Sequence, residues 1–241
     1  QVSAGSGVPV WTYSDYWGTN VSVFDITEPH RDLVIRAQST VETDQAPADP
    51  GWTPLPWAEL RARADADRLL EFLMPTALTT VTPAVAGPVI ADVRGADPVE
   101  TAAEIASRVR ARVSYMPGAT GVRTNAQEAW DQGQGVCQDL AHVTVALLRA
   151  AGLPARYVSG YLHPDPEAEP RQTAVGESHA WVEYWAGEWQ ACDPTSGAPV
   201  RERHVAVARG RDYADVPPLK GIYHGVPVSA QAVRVEVTRL A

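Results

Sequence analysis

The stretch Gly133-Gln134-Gly135-Val136-Cys137-Gln138-Asp139-Leu140 constrains this chain more than any other. Its two glycines permit a tight turn. After it, Leu140, Thr144, Leu147, Leu148 and Ala151 recur at helical spacing. Gly152 stands where a C-terminal cap belongs, and Pro154 stops continuation. The spacing predicts a helix over residues 137–151 with Cys137 in its first turn. First-turn N–H groups lack intrahelical partners and the dipole is positive there, so both favour negative charge on the sulfur. The same N–H groups can receive the oxyanion formed when sulfur attacks a carbonyl. A free cysteine is more often a small buried hydrophobe, so a base must be found to decide between the readings.

Residues 178–184 are rich in β-formers, and 188–193 form a second short run. Between them lies Trp185-Ala186-Gly187, a three-residue hairpin loop with glycine at the position that favours a left-handed conformation. With that loop Tyr184 faces Glu188, and His179 falls directly opposite Asp193, Cβ atoms ~4.5–5.5 Å apart. An imidazole beside a carboxylate is the orientation a general base needs. A two-residue loop would instead put the pair on opposite faces. His142, five residues past Cys137, reads as packing or surface. His30, His163, His204 and His224 lie in turn or strand contexts without an evident partner; acidic loop residues near His163 keep it as a remote candidate. Strand alternation turns Cys192 away from Asp193 and into the core.

The chain has 241 residues, room for one large domain or a core with a smaller β module. Residues 8–16, 21–26 and 33–41 read as strands, giving an N-terminal β module over 1–45. Residues 44–56 read as a linker and 57–73 as a helix closed by Pro75, so 46–96 form a linker-and-helix region. Pro83 and Pro88 argue against one continuous element over 76–96. Asp97, Pro98 and Glu100 signal a helix start, and Thr124 with Gln127 signals another, carrying Trp130. The core then spans 97–241 and ends in C-terminal strands. The net charge is −9, with basic residues scattered, so neither nucleic acid nor a membrane surface is an expected partner. Two cysteines without a CxxC exclude a disulfide scaffold and a cysteine-pair metal site and fit a reducing, cytoplasmic compartment. The opening on Gln1 without a Met reads as a processed or truncated N-terminus.

These motifs together resemble the transglutaminase-like superfamily, in its bacterial branch with an N-terminal β region. Gly135-Val136-Cys137-Gln138-Asp139-Leu140-Ala141 resembles its nucleophile motif, Ser178-His179-Ala180-Trp181-Val182-Glu183 its histidine strand and Asp193-Pro194-Thr195 its aspartate motif. The segment 210–218 resembles one typical of that branch. The resemblance implies an α+β, papain-like core, with a nucleophile helix packed on an antiparallel β-sheet beside the N-terminal β module, whose first strands are missing here. It implies acyl transfer or hydrolysis at a glutamine or peptide amide through a thioester, with Cys137 as nucleophile, His179 as base and acid, and Asp193 as orienter. The partner would be a protein or peptide substrate, with an amine or water as acceptor. No cofactor and no metal are expected. Gln134 and Tyr115 are candidate second oxyanion donors; Trp181, Arg211, Asp212 and Tyr213 are candidates for the acyl cleft. The rivals are a peptidase or amidase using water only, and a binding module on the same fold.

Overall fold

The computed structural model describes residues 1–5, 7–43, 51–66, 69–93, 97–165, 167–225 and 230–240. The N-terminal region is antiparallel: β1 (Val2–Ala4) pairs with β4 (Ile35–Ala37), and between them β2 (Trp11–Ser14) and β3 (Asn20–Val23) form a hairpin. These strands are shorter than the alternation predicts. Asp15 Oδ1 accepts the N–H groups of Trp17 and Thr19 and shapes the hairpin tip. The tip docks on the core through ring contacts, Trp17 tilted against Phe72 at 5.6 Å and Phe72 edge-on to Trp189 at 5.3 Å.

The linker expected over 44–56 lies partly outside the described residues, which resume at 51. Then α1 (Trp57–Ala66) is followed by a separate 3₁₀ turn over Leu70–Phe72, so the single helix expected to residue 73 is two pieces. As expected, 76–96 is not one continuous element: α2 (Pro83–Asp92) starts at Pro83, though it runs through Pro88 without a break. Pro83 occupies its first turn, where no N–H bond is lost. Pro88 costs one bond, to the exposed helix start, while Ala86 and Val89 bury. Helix α3 (Pro98–Arg112) carries the expected cap: Asp97 Oδ1 accepts the N–H groups of Val99 and Glu100. Strand β5 (Ser114–Tyr115) precedes α4 (Ala126–Gln132), which is capped by Asn125 and Glu128, one residue later than the Thr124–Gln127 signal. Gln127 instead accepts the Thr82 N–H.

Strand β6 (Gln134–Gly135) pairs in parallel with β5 and leads into α5 (Cys137–Ala151). The expected bounds of α5 and its left-handed cap at Gly152 are found. Helix α5 is enclosed by α2, α3 and α4 on one side and by the main sheet on the other. That sheet is antiparallel, in the order β10-β9-β7-β11, from β7 (Ala155–Leu162), β9 (Glu177–Trp185), β10 (Trp189–Cys192) and β11 (His204–Gly210). A side ribbon pairs β8 (Thr173–Val175) with β12 (Glu236–Thr238). The fold is therefore α+β, with the Cys137 helix packed on an antiparallel sheet. Ala180, Val182 and Tyr184 of β9 join the core cluster with α5, so alternation turns His179, Trp181 and Glu183 the other way.

Enclosure leaves several polar side chains of α5 buried, and each finds work. Arg149 donates to the carbonyls of Ala155, Met74 and Arg211 and to Thr79 Oγ1. It ties the C-terminal end of α5 to three other segments.

Candidate active site

The turn before Cys137 depends on both glycines for different reasons. Gly133 is left-handed, φ +67°, and ends α4. A Cβ on Gly135 would stand 2.7 Å from Asp139 Cβ. That close approach lets Asp139 accept the Val136 N–H at 2.7 Å and the Thr120 hydroxyl, closing the first turn of α5. Burial pushes the Asp139 carboxyl up, with these hydrogen bonds opposing. Cys137 is the first residue of the helix and is half-buried.

His179 arrives on β9 opposite Gly160 of β7. The hairpin register differs from the expected one by two residues. Trp185 pairs with Trp189 and Val182 with Cys192, so the loop is Ala186-Gly187-Glu188 and ladder pairing stops before Asp193. Asp193 thus lies diagonal to His179 rather than directly opposite. A shift of two preserves the face, because side chains alternate with period two. His179 Nε2 lies 3.0 Å from Asp193 Oδ2. Three other donors hold the same carboxylate: the Thr195 and Ser196 N–H groups on Oδ1, and Ser196 Oγ on Oδ2 at 2.6 Å. Burial opposes ionisation of Asp193, but the hydrogen bonds from His179 and Ser196, with the His204 imidazole nearby, prevail and hold it well below the usual carboxylate range.

Burial likewise opposes charge on His179, yet its hydrogen bonds to Asp193 and Cys137 outweigh it and raise the imidazole to about 9. With Nε2 committed to Asp193, Nδ1 is the nitrogen left for the sulfur. His179 is thus held to the buried Asp193 carboxylate near Cys137 and the N-terminus of α5.

Tyr115 pairs with Gly135 across the parallel ladder. Burial and the nearby charges of Cys137 and Glu177 push its phenol up, which places it at the cleft. Gln134 is exposed on the adjacent strand. Trp181 does not face an acyl cleft. It is fully buried, stacked 6.2 Å from His179 and pressed over Gly160, where a Cβ would meet the ring at 2.6 Å. Arg211, Asp212 and Tyr213 each hold a contact of their own. Arg211 pairs with Asp215 and lies over Trp17, Asp212 caps a short 3₁₀ turn, and the Tyr213 N–H donates to His142. The Arg211 carbonyl accepts from Arg149 in the last turn of α5. His142 is buried and neutral, lowered to about 3 by burial and Arg149. His163 bonds locally to Asp165.

Two participants were not read from the sequence. Ser196 had a signal: Asp followed by Thr and Ser at the second and third positions is an Asx-turn pattern. His204 had none, since it reaches Asp193 from β11, at 3.6 Å.

A family model described as the transglutaminase-like superfamily matches residues 89–194. The chain is also 43% identical over 231 residues to an uncharacterised protein of Mycobacterium leprae, covering 96% of this chain and 82% of that one. The chain belongs to the transglutaminase-like superfamily. Cys137, His179 and Asp193 all lie inside the segment matched to the superfamily, and His204 lies beyond it. Over 122 residues this member is 38% identical to the protein-glutamine gamma-glutamyltransferase of Pseudomonas aeruginosa, 46% of this chain and 18% of that one. Its fold is shared with a solved structure from Cytophaga hutchinsonii described as a proposed cysteine protease. There the TM-score is 0.64 at 22% identity, covering 90% of this chain and 71% of that one.

The two thiols of this superfamily member differ sharply. Cys192 packs against the core, and burial with the Asp193 charge pushes its thiol from 9.0 up to about 12. Three units reduce its thiolate fraction by about a thousandfold. Limiting iodoacetamide followed by peptide mapping is therefore expected to label Cys137 first. Faster labelling of Cys192 would contradict the placement of both residues.

Proposed function

We propose that the protein is a cysteine-dependent acyltransferase or amidase acting on a glutamine or peptide amide. The observation that supports this reading is the His179 ring, held 3.0 Å from Asp193 and near Cys137, the first residue of a helix. The Cys137 sulfur forms a bond to the amide carbon, and the carbonyl π-electrons move to oxygen. The first-turn N–H of Cys137 donates to that oxyanion, with Tyr115 or Gln134 at the same cleft as the second donor. As the tetrahedral species collapses, the C–N bond breaks and the His179 imidazolium gives its proton to the departing amine. The thioester then meets a primary amine or water. His179 takes the proton of the incoming group, the C–S bond breaks, and the sulfur is regenerated. Asp193 keeps the imidazole oriented and balances its charge at each stage.

Mass spectrometry of a glutamine-containing peptide library, with and without an added primary amine, tests this. Amine adducts at glutamine identify transfer. A gain of ~1 Da by side-chain deamidation, or cleaved peptides, identifies water as the acceptor. Unchanged peptides in every arm, with Cys137 intact, would refute the proposal.

A further inference from the structure

We infer that His204 is a positioning residue, a second imidazole donor to Asp193 that fixes the carboxylate toward His179. This rests on the reading of Cys137, His179 and Asp193 given above. His204 opens β11, pairs with Leu162 and is buried. Its Nδ1 accepts the Arg201 backbone N–H at 3.2 Å. A backbone N–H can only donate, so Nδ1 presents its lone pair and the neutral ring carries its proton on Nε2. That Nε2 has no full hydrogen bond and lies 3.6 Å from Asp193 Oδ2. The separation is long for a hydrogen bond, in the range of contacts that tighten when substrate binds. The Trp181 ring meets His204 edge-on at 5.3 Å, and Trp181 is itself pinned over Gly160. The indole thus braces two imidazoles, themselves 6.0 Å apart, that converge on one carboxylate oxygen.

The surrounding charges do not compete for this contact. Glu183 is paired with Arg156 and Arg209 farther along β9. Glu42 and Arg201 line a cavity of about 370 Å³ on the sheet face away from α5, and His204 lies on its wall. His179, Asp193 and His204 also bring ligand-type atoms within 4.8 Å of one another. A cation there would need the Nε2 lone pair, but the bond from Arg201 places the proton on that nitrogen. The donor from Ser196 on the same Oδ2 further favours a hydrogen-bonded cluster.

The test uses the full chain with His204→Leu, His204→Asn and His204→Gln. Leu removes both ring functions. Asn can still accept the Arg201 N–H but is too short to reach Asp193, whereas Gln can extend a donor. The readouts are the His179 titration by NMR and kcat against KM on an amide substrate. In the Leu and Asn variants the His179 titration, about 9 in the parent, is expected to fall by about one unit. kcat should fall on the order of tenfold with KM little changed, because a loosened carboxylate orients His179 less well. Gln should recover most of both. If Leu does not fold, Asn against Gln is read on the same scale. A parent-like titration in Asn, or equal titrations in Asn and Gln, overturns the inference. A parent protein without turnover would instead count against the proposed activity, while the titration arms still decide the role of His204.

Discussion

Cys137→Ala is expected to fold like the parent and to lose amide turnover by about 10⁶-fold, the scale on which removing a covalent nucleophile acts. The fold should survive because Cys137 is half-buried at the first position of α5, where alanine is the best helix former. His179→Ala should lose activity on a similar scale for a different reason, since proton transfer into and out of the sulfur ends. Asp193 is not orphaned by that change. Ser196 Oγ and the N–H groups of Thr195 and Ser196 still donate to it, so the variant should fold, melting lower than the parent below pH 9, where the His179–Asp193 pair contributes stability. Turnover with circular dichroism melting checks both variants. Activity above about a hundredth of the parent's in either folded variant would remove that residue from the mechanism.

Asp193→Asn is expected to cost ~10⁴ in turnover, the loss that the same change causes in a serine-protease triad. Here the geometry says why. Every group around the carboxylate is a donor: two backbone N–H groups on Oδ1, and His179 Nε2 and Ser196 Oγ on Oδ2. The two N–H groups cannot reverse, so they keep the amide oxygen. The amide NH₂ is then turned toward His179, whose Nε2 must become an acceptor. The ring proton moves to Nδ1, the nitrogen facing Cys137, which can then no longer take a proton from sulfur. The variant also loses a pH-dependent stability term. The parent His179 is raised from 6.5 to about 9, so its contribution is complete below about pH 6.5 and disappears as pH rises through 9. The parent should melt lower at pH 9.5 than at pH 6 by more than the variant does. Parallel melting curves and matching rates of Cys137 alkylation across pH would show that Asp193 only ends a strand.

The parts of this protein legible in its sequence are those specified within a few residues. Helix α5 follows from its apolar spacing and Gly152, and α3 from Asp97, Pro98 and Glu100; caps and periodicity act over one or two turns. The shared face of His179 and Asp193 was legible for a similar reason. Side-chain alternation preserves a face under an even register error.

The register itself was decided by packing. Gly187, at φ +112°, sits in the middle of the loop rather than at its end, and Leu55 stands 2.9 Å from where its Cβ would lie. The Leu55 N–H donates to the Ala186 carbonyl and the Trp185 N–H to that of Pro154, so distant segments choose which residues turn. Helix α2 formed despite Pro88, because its apolar face could be buried against α5. Arg211 and Tyr213 took up contacts with Asp215, Trp17, Arg149 and His142 that no local pattern specifies. His204 reached Asp193 only because β11 folds back onto β7, which also carries Gly160 beside His179. Local sequence thus determined which side chains could react and the helix end and strand face that present them. Which residues meet them was left to contacts between segments far apart in the chain, because a short motif sets backbone conformation but cannot specify the surface it will pack against.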